Sequence, residues 1–179
     1  MQAARNIHNL TLVGFMGTGK SSVGRIIADQ LHYRFVDTDE LIEAQQDTTI
    51  AEIFGKQGEA VFRQCEAKAV QELAAQTGLI ISTGGGVVIN PDNLASLKTH
   101  SLVACLWATP ETIWERVKEQ THRPLLQTAD PLGKIRELLA QRAPFYRQAD
   151  VLINTGLRSP REVAQQVLHQ FQLARARRS

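Results

Sequence analysis

The chain reads Gly14-Phe-Met-Gly-Thr-Gly-Lys-Ser21 directly after the apolar run Leu10-Thr-Leu-Val13. The stretch fits the pattern G-x-x-x-x-G-K-S. The next ten residues place apolar side chains at helical spacing. A strand, this motif and an amphipathic helix, in that order, are the context of a phosphate-binding loop. A glycine-rich turn without function is the alternative, and it would not explain why all three parts are in register. The stretch therefore predicts a binding site for a nucleoside triphosphate.

Each fixed position of this loop has a physical task. The glycines allow consecutive backbone N–H groups to surround an anion, and the helix that follows presents its positive end to the same anion. Lys20 offers a point charge to the outer phosphates, and Ser21 offers a hydroxyl to Mg²⁺. Phosphate and metal binding are therefore expected at one place.

Length and composition limit the other possibilities. A chain of 179 residues is expected to form one domain, and a net charge of +2 gives no reason to predict a nucleic-acid or membrane partner. The N-terminus lacks the apolar core of an export signal, so we expect a cytoplasmic protein. Cys65 and Cys105 are far apart and are interpreted as small buried or half-buried residues. The basic end at residues 174–179 is expected to be a flexible tail.

Short apolar runs alternate with helical segments along the chain. The strand candidates are Leu10–Val13, Tyr33–Val36, Leu79–Ser82, Leu102–Trp107 and Val151–Ile153. Continuous apolar runs are typical of strands covered on both faces, so the pattern predicts an α/β fold with three layers, α/β/α, around a five-stranded parallel sheet. Ligands of such sheets bind beyond the carboxyl ends of the strands. The polar, proline-containing stretch at 121–131 is predicted to be a mobile lid.

Two carboxylates, Asp37 and Asp39, follow the second strand candidate. Beside a phosphate loop, one carboxylate can support Mg²⁺, usually through its water, and the other can take a proton from an attacking hydroxyl. The alternative is that Thr38 or Asp39 only caps the helix that begins near Glu40. Both interpretations are compatible with the sequence alone.

The third strand candidate is followed by Thr83-Gly-Gly-Gly86, and three arginines lie in distinctive contexts. Three glycines expose bare backbone, either as a plain turn or as a floor for a flat substrate. Arg63 lies in Phe-Arg-Gln-Cys-Glu66, Arg123 in Arg-Pro-Leu-Leu126, and Arg142 in Arg-Ala-Pro-Phe-Tyr146. An arginine on a helix is usually solvated, but its guanidinium is suited to two-pronged binding of carboxylate or phosphate.

The six motifs together resemble those of shikimate kinases, which are P-loop kinases of the nucleoside-monophosphate-kinase fold. The phosphate loop, Asp-Thr-Asp, Phe-Arg-x-x-Glu, Gly-Gly-Gly, Arg-Pro-Leu-Leu and Arg-x-Pro-x-Tyr occur in that order, and the likeness extends from Leu10 to about Val167. The resemblance implies ATP-dependent phosphorylation of the 3-hydroxyl of shikimate, a step in the biosynthesis of aromatic amino acids. It also implies Mg²⁺ as cofactor, small-molecule substrates and, by analogy, a monomer.

The resemblance also implies a role for each matching residue. Asp39, Lys20 and Arg123 would be catalytic, with Asp39 as the base. The nucleotide would be bound by Gly17, Thr18, Gly19, Lys20, Ser21, Ser22, Arg123 and Arg158. Shikimate would be bound by Asp39, Arg63, Gly84, Gly85, Gly86 and Arg142. Ser21 and Asp37 would hold the metal. The loop around Arg158 matches the family pattern least well, and its contact would be with adenine.

Three alternatives remain at this point. A kinase of the same fold could act on gluconate or a nucleoside monophosphate. A nucleotide-dependent switch is a second possibility, but the chain lacks the Asn-Lys-x-Asp stretch usual in guanine-reading switches. An inactive relative is a third, which the presence of Lys20, Ser21, Asp37 and Asp39 disfavours.

Overall fold

The computed structural model describes residues 5–119 and 128–176 of the chain. Within them, five strands form one sheet in the order β2-β3-β1-β4-β5, and each neighbouring pair is parallel. The strands are β1 Asn9–Val13, β2 Arg34–Asp37, β3 Leu79–Ser82, β4 Ser101–Trp107 and β5 Val151–Asn154. The helices are α1 Lys20–Leu31, α2 Thr38–Gln46, α3 Ile50–Gln57, α4 Glu59–Ala74, α5 Pro91–His100, α6 Pro110–Val117, α7 Pro131–Tyr146 and α8 Pro160–Ala176. The predicted α/β class is confirmed.

Strand burial follows position in the sheet. The three inner strands are buried along their length apart from Trp107 at the end of β4, whereas the edge strands β2 and β5 are partly exposed. Inner strands of a parallel sheet have both faces covered, which explains their continuous apolar runs. Those runs are the reason why the five strand candidates could be placed to within one residue.

Helices cover both faces of the sheet. On one face, α1 and α8 pack against side chains of β1 and β4 around Leu12, Leu106 and Phe171. On the other face, α4 to α7 pack around Ile81, Val103 and Leu97. A smaller cluster joins α2, α3 and α4 through Ile42, Ile53 and Phe62. This last cluster fixes α4 beside the carboxyl end of β2, where functional residues were predicted.

Capping bonds mark the starts of several helices. Thr49 and Glu52 form the reciprocal capping box at the start of α3, and Asn90 and Thr109 cap α5 and α6 ahead of a proline. A capping side chain satisfies a backbone N–H that the helix itself leaves unpaired. These short sequence signals therefore determine where the helices begin.

Three boundaries differ from the sequence-based expectation. The cap of α2 is Asp37, whose side chain accepts from the Asp39 N–H, so neither Thr38 nor Asp39 is the capping residue. Pro131 is the first residue of α7, with Asp130 as its cap, although the lid was predicted to extend to Pro131. Most of the predicted lid, 121–131, lies outside the described residues. Helix α8 continues to Ala176, so residues 174–176 of the predicted tail are helical. Proline is favoured at a first helical position, which accounts for Pro131.

The interpretation of the two cysteines agrees with the structure. Cys105 is buried in β4 and Cys65 is half-buried on α4, and both are free thiols. Across residues 5–119 and 128–176, none of the helices combines the length and the apolar character needed to cross a bilayer.

Candidate active site

The site lies at the carboxyl ends of three adjacent strands. β1 is flanked by β3 and β4, and β3 by β2, so the loops that follow β1, β2 and β3 meet at one edge of the sheet. They line a cavity of about 520 Å³ together with residues of α1 and the tip of α6. Such a crevice is where open α/β sheets bind their ligands. The topology thus brings together motifs that are distant in sequence.

The phosphate loop has the backbone shape of an anion cradle. Gly14, Gly17 and Gly19 have φ values of 137°, 73° and 92°, a region that side chains rarely tolerate. Gly19 caps α1 without any side-chain bond to the first turn. The N–H groups of that turn therefore remain directed at the cavity, where a phosphate can accept from them.

Backbone carbonyls of the phosphate loop hold the Lys20 side chain in place. Its side chain is buried, and Nζ donates to the carbonyls of Gly14 and Phe15 at 2.9 Å each. Thr18 is also buried, and its hydroxyl donates to the Phe15 carbonyl at 2.8 Å. The ammonium is thus already at the mouth of the anion cradle, whereas the Thr18 side chain stabilises the loop and leaves only its backbone for a ligand.

Three oxygen-bearing side chains meet beside the cradle. The Ser21 hydroxyl donates to Asp37 Oδ2 at 3.1 Å and lies 3.4 Å from the Ser82 hydroxyl. Asp37 also accepts from the Asp39 N–H through Oδ1 at 3.0 Å, which fixes the carboxylate. Ser82 was not predicted, and its only signal is its place at the end of β3. Hard oxygen ligands of this kind suit Mg²⁺.

The described residues contain no group of three or more histidine, cysteine, aspartate or glutamate side chains arranged to hold a metal. This is compatible with Mg²⁺, which retains water and shares its coordination with substrate phosphates while taking only one or two protein carboxylates. The donor set at Ser21 and Asp37 fits a Mg²⁺ ion that arrives with a nucleotide.

Asp39 is the most perturbed acid of the site. Burial, followed by the charges of Asp37 and Glu66, raises its pKa to about 6, although Lys20 opposes the shift. Its Oδ1 is buried and has no hydrogen-bond partner among the described residues. A buried oxygen without a partner is costly in a folded protein and is often completed by a ligand. Asp39 is therefore suited to receive a hydroxyl group.

The glycine run is required by what packs against it. A Cβ at Gly84 would lie 2.6 Å from Asp39 Oδ1, and a Cβ at Gly86 would lie 2.6 Å from Nη1 of Arg63. A Cβ at Gly85 would lie 3.4 Å from Nη1 of Arg142. The acid and both guanidinium groups thus pack directly against bare backbone, as expected for a floor under a flat ligand, and the plain-turn interpretation does not explain this packing.

Arg63 and Arg142 approach the glycine run from two helices. Arg63, on α4, pairs with Glu66 at 2.5 Å and with Glu59 at 2.9 Å. Glu66 is fully buried, and burial raises its pKa although both arginines oppose the shift. Glu66 was not predicted as a site residue, although a charged residue in the apolar stripe of α4 is a signal that could have found it.

Arg142 lies on α7 with its guanidinium 5.5 Å from the centre of the Phe15 ring. Phe15 belongs to the phosphate loop and is fully buried. A cation over an aromatic face is favourable at this distance. The contact joins the arginine to the loop that is predicted to bind the nucleotide phosphates.

Arg123 and Arg158 complete the set of predicted residues. Arg123 is outside the described residues. Arg158 is exposed, donates to the Asn154 carbonyl at 2.9 Å and does not line the cavity. Arg116 and Pro160 line it instead, and neither was predicted. Arg116 donates to the Gly17 carbonyl at 3.2 Å and to the Thr155 carbonyl at 2.6 Å, so it ties the phosphate loop to the loop after β5.

Comparisons with known proteins agree with this arrangement. The shikimate kinase family profile matches residues 16–172. A shikimate kinase of Thermodesulfovibrio yellowstonii is 43% identical over 92% of this chain and 95% of its own. A shikimate kinase of Caldanaerobacter subterraneus subsp. tengcongensis is 44% identical over 91% of this chain and 95% of its own.

A solved structure supports the same relationship. The shikimate kinase of Acinetobacter baumannii, determined in complex with shikimate, superposes with a TM-score of 0.87 at 38% identity and covers 92% of each chain. The resemblance inferred from the six motifs is thus confirmed by profile, sequence and structure. The chain belongs to the shikimate kinase family.

Proposed function

We propose that this protein transfers the terminal phosphoryl group of ATP to the 3-hydroxyl of shikimate, giving ADP and 3-phosphoshikimate. One observation carries the proposal: a phosphate-binding loop and the buried Asp39 Oδ1, which has no partner among the described residues, face the same cavity. Arg142 and Arg63 lie next to Gly85 and Gly86 of the glycine run. A hydroxy-acid fits this arrangement because its hydroxyl and its carboxylate need different partners at separate places.

On the nucleotide side, the residues Gly17, Thr18, Gly19, Lys20, Ser21 and Ser22 wrap the phosphates. The N–H groups at the start of α1 and the Lys20 ammonium stabilise negative charge that develops during transfer. Ser21 and Asp37 would hold Mg²⁺, and the Ser82 hydroxyl lies beside them, 3.4 Å from that of Ser21. When bound, the ion neutralises charge on the outer phosphates of ATP.

On the acceptor side, Asp39 accepts a hydrogen bond from the attacking hydroxyl and then its proton. At pH 7 a carboxyl with a pKa of about 6 is mostly ionised yet more basic than an ordinary aspartate, which suits a general base. Arg63 and Arg142 bind the acceptor carboxylate, and Gly84, Gly85 and Gly86 contact the ring through their backbone. Because the glycines carry no side chains, the ring can lie close to Asp39 and to the two arginines at once.

Four assignments rest on family likeness or on position in the cavity. Arg123 is proposed to approach the transferring phosphoryl group as part of the lid. For adenine, Arg116 and Pro160 are better placed than Arg158, because both line the cavity and Arg158 does not. We further propose that the protein acts as a monomer in the cytoplasm.

The test is an ADP-release assay with ATP and Mg²⁺ and a panel of acceptors: shikimate, gluconate and AMP. Of the three acceptors, we expect only shikimate to give rapid ADP formation. Mass spectrometry should identify the product as 3-phosphoshikimate. The proposal would be refuted if the rate of ATP hydrolysis were the same with and without shikimate and no phosphorylated shikimate were found. Rapid ADP formation with gluconate or AMP instead would identify a different kinase of the same fold.

A further inference from the structure

Tyr146 places a buried hydroxyl directly under the glycine run. It is the last residue of α7, one turn after Arg142, so both side chains lie on the same face of the helix. The side chain is 7% exposed. Its hydroxyl donates to the Gly85 carbonyl at 2.6 Å. Burial raises the pKa of the phenol to about 12, so the hydroxyl remains a donor at any working pH.

The bond fixes one peptide plane of the run. Three other polar groups of the run are paired locally: Gly84 N–H donates to Thr38 Oγ1 at 3.1 Å, and the carbonyls of Gly84 and Gly86 accept from the short turn that follows. In a trans peptide the carbonyl and the N–H point in opposite directions. Because Tyr146 holds the Gly85 carbonyl, the Gly86 N–H of the same peptide points away from the phenol, and it has no partner within residues 5–119 and 128–176.

Two guanidinium groups flank the same peptide. The position of a Cβ on Gly86 is 2.6 Å and 2.9 Å from the Nη atoms of Arg63, and that on Gly85 is 3.4 Å from Nη1 of Arg142. One oriented N–H between two cations makes a set of donors that matches the two oxygens of a carboxylate. The donors come from α4, from α7 and from the loop after β3, so their relative placement requires a group that joins these parts.

We infer that Tyr146 is a positioning residue for the acceptor carboxylate. Its hydroxyl holds the Gly85–Gly86 peptide so that the Gly86 N–H completes the grip formed by Arg63 and Arg142. Tyr146 touches no reacting atom and acts through the peptide that it orients. The inference rests on the proposed function, because it names the anionic end of the acceptor as the group that is held.

A purely structural role is the competing explanation. A buried tyrosine hydroxyl usually finds a partner, and the bond to Gly85 could do no more than satisfy that need. The two explanations differ in what they predict for ligands. Loss of a structural bond lowers stability and weakens all acceptors alike, whereas loss of a positioning bond weakens an acid more than its uncharged ester.

The experiment compares Tyr146→Phe with Tyr33→Phe. The chain has two tyrosines, and the hydroxyl of Tyr33 accepts from Arg175 at 3.1 Å, away from the cavity. For Tyr146→Phe we expect a rise of about three- to tenfold in the KM for shikimate, the effect of one hydrogen bond. The KM for ATP and kcat should stay within about twofold, and Tyr33→Phe should leave all three constants unchanged.

Calorimetric titration with shikimate and with its methyl ester provides the readout that a structural role would not change. In Tyr146→Phe the preference for the acid over the ester should shrink by the same factor as the KM rises. An unchanged preference, or an equal loss for both ligands, would overturn the inference. The assay of the unaltered protein distinguishes failure of the proposed function from failure of the role of Tyr146. If the unaltered protein does not phosphorylate shikimate, the proposed function itself fails.

Fluorine NMR keeps the inference testable should Tyr146→Phe not fold. Replacing both tyrosines by 3-fluorotyrosine retains each hydroxyl and gives two resonances, assigned with Tyr33→Phe. We expect saturating shikimate to shift the Tyr146 resonance and the methyl ester to shift it less, with the Tyr33 resonance unmoved. Equal shifts with acid and ester, or none, would count against the positioning role.

Discussion

Asp39 holds its charge at a place where the fold disfavours one. Burial and the neighbouring carboxylates Asp37 and Glu66 all raise its pKa, and Gly84 leaves just enough room for its Oδ1. Such an arrangement is expected of a catalytic group, because a base with a pKa near the working pH transfers protons most effectively. At the scale of single residues, the site is therefore built around one basic carboxylate.

Replacement of this carboxylate should separate chemistry from nucleotide binding. We expect Asp39→Asn to lower kcat by about 10²–10⁴-fold, the usual contribution of a positioned base, and to leave ADP affinity nearly unchanged. In the unaltered protein, kcat/KM for shikimate should fall with decreasing pH below about 6, where Asp39 becomes protonated. Steady-state kinetics across pH would test both expectations, and an undiminished kcat in Asp39→Asn would remove Asp39 from the role of base.

Gly84 provides a second test at this scale. A methyl group there would lie 2.6 Å from Asp39 Oδ1 and 3.2 Å from Glu66 Oε1, so Gly84→Ala must displace the acid. We expect kcat/KM for shikimate to fall at least tenfold while ADP still binds. Gly55→Ala is the matched control, since nothing lies within 4 Å of its added Cβ and alanine is favoured over glycine within a helix by about 0.5–1 kcal/mol. Normal kinetics in Gly84→Ala would show that the close packing does not matter.

At the scale of elements, α4 and α7 each contribute one arginine to the acceptor pocket. Arg63 comes from α4, which the small cluster of α2, α3 and α4 holds beside β2, and Arg142 comes from α7. Because the two helices are not consecutive, the distance between the guanidinium groups is set by the sheet on which both pack.

Helix α7 offers its own control for the role of Arg142. We expect Arg142→Ala to weaken shikimate binding at least tenfold, because a hydrogen bond to a charged group contributes about 1.5–3 kcal/mol. Arg136 lies on the same helix, is exposed and pairs with exposed Glu111, so Arg136→Ala should leave shikimate affinity unchanged. Titration calorimetry would measure both. Equal affinities in the two variants would exclude Arg142 from the carboxylate grip.

Element boundaries could be predicted where a local signal exists. The capping box of Thr49 and Glu52 and the apolar run of β3 each determine their element through nearby residues, and the predicted bounds of β3 are confirmed. Ser82 and Arg116 could not be predicted as site residues, because their importance depends on which strands become neighbours. Glu66 could have been predicted, because it falls in the apolar stripe between Phe62 and Ala69, where a charge needs buried partners.

At the scale of the whole molecule, two buried titratable groups occupy opposite ends of the sheet. Asp39 lies at the carboxyl end. His100 lies at the amino end, where Nδ1 is 2.9 Å from Asn9 Nδ2 and Nε2 has no partner among the described residues. Since Asn9 Oδ1 accepts from the Leu79 N–H, its amide faces His100 with the NH₂ group, which requires a neutral ring. Burial, with a smaller effect of His8, lowers the pKa of His100.

These two groups should make stability depend on pH in opposite directions. Folding lowers the pKa of His100, so the unfolded chain binds more protons below about pH 6.5 and stability is lost on acidification. Folding raises the pKa of Asp39 from 3.8 to about 6, so the native state binds more protons in that range and stability is gained on acidification. At pH 7.5, Asp39→Asn should therefore be more stable than the unaltered protein by about 1–3 kcal/mol.

Urea unfolding at pH 7.5 and pH 5.5 would separate the two contributions. His100→Gln should lose less stability between these values than the unaltered protein, and the exposed His169→Gln should behave like the unaltered protein. Asp39→Asn should lose more, because it lacks the compensating gain. Identical pH dependence in all four proteins would contradict both assignments.

The three oxygens beside the phosphate cradle come from distant parts of the chain: Ser21 and Asp37 are 16 residues apart, and Ser21 and Ser82 are 61 apart. They meet only after β2 and β1 have both paired with β3, which is a late and slow kind of event because long-range contacts must close large loops first. A partly folded chain thus lacks this oxygen cluster and keeps only the local phosphate loop. A bound nucleotide would therefore stabilise the finished protein by mass action more than it stabilises any partly folded form.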